Sequence, residues 1–405
     1  MIIDKVKAKE AGVNVERLAY LDKFLADAAH KMVSPAIAIC AARGDTEVFN
    51  GAYGLASPDG PPLQLDMITE VQSVTKPFTA TMIMMLQEDG LLDLADPLQK
   101  YFPEFSGPDK EGVCLWHLLA HVSGMSNQTT GEFLQDFIKT VLRDQAPGSD
   151  STWEERSAAV DEVRRRMGYT DEELRAERSE DFLCKMKMLA PLDAKPNTRF
   201  DYCSFGYEVS RLLIEKISGE KMADFAARRL FTPLGMKDSH FVLPEEKWPR
   251  VLLRLESCRA GEWLNSEQDR ITYSGSSGLK TTVPDLLRFG RMFLDKGTLD
   301  GARILSPATV RTMTRDHNPG IPQSFWIGRK FDSNWGLGWN IRCRKFDDMG
   351  VLRSANAYDH AGYGGARLLV DPDHALVAAY YIVDQPDEGH VLHGRVADIL
   401  LSALD

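Results

Sequence analysis

The chain is poor in cysteine, with six in 405 residues, and no two form a CxxC pair. Cys40, Cys114, Cys184, Cys203, Cys258 and Cys343 are widely scattered. That spacing argues against a disulfide framework and a zinc site, and for reduced thiols in a cytoplasmic protein. No apolar run approaches the roughly 20 residues needed to span a bilayer. The first residues, "MIIDKVKAKEAGVNVERL", are charged and lack the apolar core of a secretory signal. Basic residues are outnumbered, 48 to 59, for a net charge of −11. This balance argues against nucleic acid and against anionic membrane surfaces as partners. Repeats, low-complexity tracts, a P-loop and a G-x-S-x-G elbow are also missing. No cofactor and no metal are expected.

What remains is ordinary globular material, 43% hydrophobic and 26% charged. At this length one large domain or two interleaved ones are expected. Residues 15 to 31 have the pattern of an amphipathic helix. "AIAICAARGDTEVFNGAYG" (36 to 54) reads as two strands around an "RGD" turn. "ARLLVDPDHALVAAYYIV" (366 to 383) reads as a second hairpin turning at "DPDH". "HVLHGRVADILLSAL" (390 to 404) is a closing helix. Between these ends the chain is mostly helical, at 74 to 89, 113 to 121, 155 to 190, 205 to 218 and 284 to 296. The expected fold is α+β: a sheet from both chain ends, residues 1 to 60 and 330 to 405, with a mostly helical part at 61 to 329. Residues 126 to 195 form a charge-dense insert, either a solvated helical excursion or a lid over a pocket.

Ser-x-x-Lys occurs three times, at Ser73/Lys76, Ser218/Lys221 and Ser277/Lys280. Ser218 ends a helical pattern before Gly219, a natural helix-stop residue. Ser277 lies in glycine-rich "YSGSSGLKTT", which suggests a turn or close backbone packing. Only Ser73 opens an apolar helix, "PFTATMIMMLQEDG". Pro77 lacks an N–H and is comfortable only near the first turn, so Ser73 lies at the helix start. Residues i and i+3 share a face, which sets the Lys76 ammonium beside the Ser73 hydroxyl. The positive helix end favours an alkoxide there. An activated nucleophile and a plain helix cap both fit this stretch.

Further segments bear on that choice. "SVTKPFTA" resembles the first motif of the serine β-lactamase and penicillin-binding-protein-like superfamily, particularly its class C and esterase branch. "LLAHVSGM" (118 to 125), "FDYCSFGYEVSRLLIEKISG" (200 to 219), "SGLKTTVPDLLRFGRMFLDKGTLDGARILSPATVRTM" (277 to 313), "WGLGWNI" (335 to 341) and "DHAGYGGARLLVDP" (359 to 372) resemble its later segments, in family order. The resemblance implies one β-lactamase/transpeptidase-like catalytic unit over 1 to 405, with an antiparallel sheet flanked by helices and an inserted helical domain.

It also implies roles. Ser73 is the nucleophile that forms an acyl-enzyme. Lys76 is cation and proton relay, and Tyr202 the phenolic partner. His360 occupies the third motif and supplies a second cation when protonated. The N–H groups of Ser73 and Tyr363 form the oxyanion hole, and Gly362 lets the edge strand approach substrate. Two positions depart from the family. Ser204 replaces the usual asparagine and cannot present an amide pair. His360 replaces the usual lysine and is mostly neutral at pH 7. Both departures turn the expectation from β-lactams toward small esters. Behind this stand an amidase or peptidase with weak β-lactamase activity, an acyltransferase, and a non-catalytic scaffold. The expected partner is a small ester or amide, with homo-oligomerisation left open. His117 and His121, four apart, are discounted as a metal pair, and Cys203 as a nucleophile. Trp335 and Trp339 either line an acyl pocket or are buried in the core.

Overall fold

The computed structural model describes residues 4–31, 34–148, 151–258, 261–324, 330–347, 349–383 and 389–404. The chain divides into two compact units, Met1–Leu91 with Ile214–Asp405, and Leu92–Leu213.

The strands that frame the first unit are β1 (Ala36–Arg43), β2 (Thr46–Gly54), β3 (Thr69–Glu70), β4 (Lys280–Thr281), β5 (Asn340–Ile341), β6 (Tyr358–Ala361), β7 (Ala366–Asp371) and β8 (Leu376–Ile382). Among the described residues, six of them make one antiparallel sheet in the order β2-β1-β8-β7-β6-β5. Both chain ends therefore build the sheet, as the hairpin patterns predict. β1 and β8 pair from Ile37 opposite Ile382 to Arg43 opposite Leu376. Their side chains are buried along almost the whole length, because helices cover both faces.

On one face, helices Val15–His30 and Gly389–Leu401 bring Leu18, Leu21, Leu25, Val396 and Leu400 against Ile37, Ile39, Tyr380 and Ile382. Each such buried aliphatic side chain contributes about 1.5–3 kcal/mol. Asn14 starts the first helix by accepting from the N–H groups of Glu16 and Arg17. On the other face, helix Val283–Leu294 lies close to the sheet at Gly290. A Cβ at that position would fall 2.5 Å from Val377 and 2.9 Å from Leu368. Phe289 of this helix stacks on Phe78 of helix Thr75–Glu88 at 3.7 Å. The serine-bearing helix is thus packed in the same core, with twelve consecutive residues, Thr75 to Leu86, buried.

The second unit is helical: Leu115–Leu119, Asn127–Leu142, Trp153–Arg166, Asp171–Ala176 and Ser179–Lys187. The charges of its insert have local uses. Thr152 with Glu155, and Thr170 with Glu173, form capping boxes. The insert also has its own apolar centre of Leu142, Val160, Val163 and Phe182, joined by Leu183 and Met186. Arg164, 1% exposed, donates to the Glu177 carbonyl at 2.9 Å and pairs with Asp161 at 3.1 Å. The apolar side chains of the insert thus cover one another. The unit boundaries, at 92 and 213, differ from the 61 and 329 read from the sequence. Helices Thr75–Glu88 and Val283–Leu294 pack with the sheet, which moves them into the first unit.

Candidate active site

Ser73 lies in a 3-10 turn, Gln72–Val74, that runs straight into helix Thr75–Glu88. Lys76 Nζ donates to Ser73 Oγ at 2.9 Å and to the Ser276 carbonyl at 3.0 Å. Lys76 is fully buried and Ser73 is half-buried. An ammonium held against a hydroxyl favours its alkoxide, the form that attacks a carbonyl.

The loop 275–279 holds this geometry. The Thr79 hydroxyl donates to the Gly275 carbonyl at 2.7 Å, and Leu279 N–H donates to Thr75 Oγ1 at 3.2 Å. Together with the Lys76 bond to Ser276, three side chains in the first turns of the helix are tied to one loop. This is the work of "YSGSSGLKTT", whose own Ser-x-x-Lys has a different use. Lys280 is buried in β4, donates to the Phe241 and Thr272 carbonyls, and stands 3.7 Å from Glu70. Glu70 in turn accepts from Gly278 N–H at 3.1 Å and from the Gln72 side chain. Burial pushes the Glu70 carboxyl up and the Lys280 ammonium down, and their mutual attraction opposes both shifts. Gln72, immediately before the serine, has φ of 50°, a left-handed conformation that costs a non-glycine residue energy. The remaining Ser-x-x-Lys is a helix end: Ser218 closes helix Phe205–Ser218, Gly219 has φ of 74°, and Lys221 is exposed.

His360 and Ala361 end β6, and Gly362 follows. A Cβ on Gly362 would fall 2.1 Å from the Val71 carbonyl oxygen. Only glycine permits this approach, so the third motif touches the segment leading into Ser73. Tyr363 comes next, 42% exposed. His360 Nδ1 lies 2.9 Å from the Ala361 carbonyl. A carbonyl only accepts, so Nδ1 carries the proton and Nε2 is the basic nitrogen. Burial, and then the charge of Lys76, push the imidazole down to about 3. The ring is therefore neutral at pH 7. Burial of the 2% exposed ring and the nearby Lys76 ammonium both disfavour its protonated form.

Behind His360, the Asp359 carboxylate pairs with the Arg353 guanidinium and accepts from Asn340 at 3.0 Å. Trp335 packs edge-on against the His360 ring at 5.7 Å and is 4% exposed. Trp339 is fully buried among Phe289, Phe293 and Tyr358. Both tryptophans take the core alternative.

Tyr202 and Ser204 belong to the second unit and are half-buried there. His121 brackets the tyrosine. Its carbonyl accepts from Asp201 N–H at 2.9 Å, its Nδ1 accepts from Cys203 N–H at 3.0 Å, and its ring lies 4.4 Å from that of Tyr202. Asn127 adds a bond from its side-chain amide to the Tyr202 carbonyl at 3.2 Å. The Ser204 carbonyl accepts from Tyr207 at 2.9 Å, opening helix Phe205–Ser218. His117 is not on a helix face with His121. The helix between them ends at Leu119, and His117 Nδ1 accepts from Cys114 N–H at 2.8 Å as a helix cap. Cys203 is buried, 1% exposed. The positioning roles of His121, Asn127 and the Ser276 carbonyl were not read from sequence. Only "LLAHVSGM" carried a signal, as a motif without an assigned contact.

The sequence model of the Beta-lactamase family matches residues 21–401, and the chain belongs to that family. It is a serine hydrolase of the β-lactamase and penicillin-binding-protein type. Penicillin-binding protein 4 of Amycolatopsis lactamdurans is 28% identical over 328 residues, 78% of this chain and 71% of that protein. Esterase EstB of Burkholderia gladioli is 30% identical over 215 residues, 52% of this chain and 47% of that protein. A penicillin-binding protein homologue from Caulobacter crescentus has the same fold, with a TM-score of 0.72 and 19% identity over 97% of this chain and 99% of that one. The α+β architecture is thus of the β-lactamase/transpeptidase type. Among the described residues, no helix is long and apolar enough to cross a membrane.

Proposed function

We propose that this chain is a carboxylesterase of small esters that works through an acyl-enzyme on Ser73. The observation that carries the reading is the 2.9 Å contact between Lys76 Nζ and Ser73 Oγ, in a helix packed on every side. Ser73 Oγ attacks the ester carbonyl carbon. Its proton passes to Tyr202, acting as a phenolate in the role the family motif implies, while the Lys76 ammonium stabilises the charge, and Tyr202 returns it to the leaving alcohol as the C–O bond breaks. Water then attacks the acyl-Ser73 carbonyl, the acid departs, and the serine proton is restored. The N–H groups of Ser73 and Tyr363 hold the negative oxygen in both steps. Tyr202 is assigned its part from the family motif.

Esters are preferred to β-lactams for two reasons. Ser204 offers a hydroxyl where an amide would grip a β-lactam side chain. His360 is neutral and offers no fixed charge to a substrate carboxylate. The naming of EstB as an esterase agrees. The likeness to penicillin-binding protein 4 supports a second reading, an amidase or peptidase. The deciding experiment measures kcat/KM on short-chain p-nitrophenyl esters, nitrocefin and D-alanyl p-nitroanilide, with fluorophosphonate labelling to locate the nucleophile. Esters are expected to lead, with one label, on the peptide of Ser73. A nitrocefin value above every ester, or label remaining in Ser73→Ala, overturns the reading.

A further inference from the structure

A buried ion pair with no part in the proposed reaction lies beside the Ser73 turn. Glu70 of β3 and Lys280 of β4 stand opposite each other across the two-stranded pairing, 6% and 2% exposed. Taking two charges out of water is costly, and an apolar pair of similar volume serves a core as well or better. Stability therefore gives no reason for a carboxylate here. Its hydrogen bonds do. One oxygen, Oε1, accepts from the Gln72 side-chain amide and from Gly278 N–H at 3.1 Å. The other, Oε2, stands 3.7 Å from Lys280 Nζ.

The two bonds to Oε1 reach the two parts of the nucleophile's setting. Gln72 immediately precedes Ser73 and holds φ of 50°, which a non-glycine residue keeps only when its surroundings enforce it. The bond to Glu70 fixes its side chain there. Gly278 belongs to the loop whose Ser276 carbonyl receives Lys76 Nζ at 3.0 Å. That loop has little slack: Gly278 has φ of 91°, and a Cβ on it would fall 2.7 Å from Tyr273 Cα. Val71 N–H adds a bond to the Leu279 carbonyl at 2.9 Å. One carboxyl oxygen thus ties the backbone that carries Ser73 Oγ to the loop that holds Lys76 Nζ, and so bears on the 2.9 Å contact between them.

We propose that Glu70 is a positioning residue for the nucleophile: its Oε1 fixes the Ser73 turn against the 275–279 loop, and with it the approach of Ser73 Oγ to Lys76 Nζ. This rests on the reading of Ser73 as the nucleophile of an ester hydrolase. Both bonds need an acceptor oxygen and not a charge. Glu70→Gln keeps that oxygen, whereas Glu70→Leu fills the space without it.

The test measures kcat and KM on p-nitrophenyl acetate, and the rate of fluorophosphonate labelling at Ser73. Glu70→Leu is expected to lower kcat about 10²-fold, the cost of misplacing a reacting group by about 1 Å, with KM within about twofold of wild type. Labelling is expected to slow by a similar factor, because it reports the serine without the ester. Glu70→Gln is expected to recover both rates to within about threefold of wild type, since a neutral acceptor bonds somewhat less strongly than a charged one. Wild-type kcat in folded Glu70→Leu, a loss confined to KM, or a fall as deep in Glu70→Gln as in Glu70→Leu each overturn the proposal. Should Glu70→Leu not fold, Gln72→Ala cuts one of the two bonds and leaves the ion pair intact. It is expected to lower kcat and the labelling rate about tenfold, the worth of one hydrogen bond to a carboxylate. Unchanged rates in it overturn the proposal. Ser73→Ala separates the two levels. Turnover that persists in it removes the underlying reading and the proposal together. Turnover abolished in it, beside wild-type rates in Glu70→Leu, removes the positioning role alone.

Discussion

His360 shows how one side chain links acid stability to the proposed site. Its imidazole is held down to about 3 in the folded chain, against 6.5 when exposed. Below pH 6.5 the unfolded chain takes up a proton that the folded chain refuses. Stability is therefore intact above that pH and is lost progressively as the pH falls toward 3. Between pH 8 and pH 5 the loss is about 2 kcal/mol from this residue. His117, pushed down to about 4 by burial, acts with the same sign. His360→Gln is expected to flatten the fall of Tm with pH between 7 and 5, measured against wild type in the same buffers. An equally steep fall would show that the ring is not held neutral. The same scale governs Lys76 and Tyr202. If both serve one proton transfer, Lys76→Ala and Tyr202→Phe each lower kcat by about 10²–10⁴-fold. The double variant then loses little more than the worse single one, because the two act as a unit. Multiplicative losses in steady-state kinetics would separate their roles.

Within the first unit, Lys76 and the third motif are held to the Ser73 turn by backbone groups that side-chain patterns do not reveal. The β1–β2 and β7–β8 hairpins were legible as paired apolar runs around turn residues, and the serine helix as an apolar run behind Pro77. The 155–190 stretch reads as continuous helix, yet it breaks at Gly168, with φ of 94°, and restarts at the Thr170 capping box. The Ser276 carbonyl beside Lys76 was not legible at all, since any residue supplies a carbonyl and only the tertiary path of the loop aims it. Gly362 was legible as a glycine but not as a contact. Its approach to Val71 gives a prediction about β6 as an element. Gly362→Ala must push the strand end off the Ser73 turn, and misplacement of about 1 Å costs roughly 10²-fold in rate. Crystallography of the variant should show the 362–366 turn displaced while kcat falls. An alanine accommodated with kcat unchanged would mean that the contact does not set the site.

At the scale of the whole molecule, the charge-dense insert is a folded satellite with its own apolar centre. Its charge alone reads as either a solvated excursion or a lid, neither of which calls for a core of its own. Removing 145–180 would strip Val160 and Val163 from Phe182 and Leu142, leaving apolar surface in water. Such a deletion is expected to lower Tm and shed the second unit's cooperative melting, read by calorimetry. A deletion that melts like wild type would show that the cluster adds nothing.

The pairing of β1 with β8 has a consequence in time. The ribosome delivers β1 before the stretch Leu92–Leu213 and β8 after it, at roughly 5–20 residues per second. Leu92–Leu213, an uninterrupted stretch, is complete on the nascent chain long before the sheet can close. Until Leu376–Ile382 emerges, the β1–β2 hairpin carries an open, apolar edge with no neighbour. Order of synthesis and order of assembly thus differ: the Ser73 helix is made before Leu92–Leu213, but the sheet it packs against closes only after that stretch.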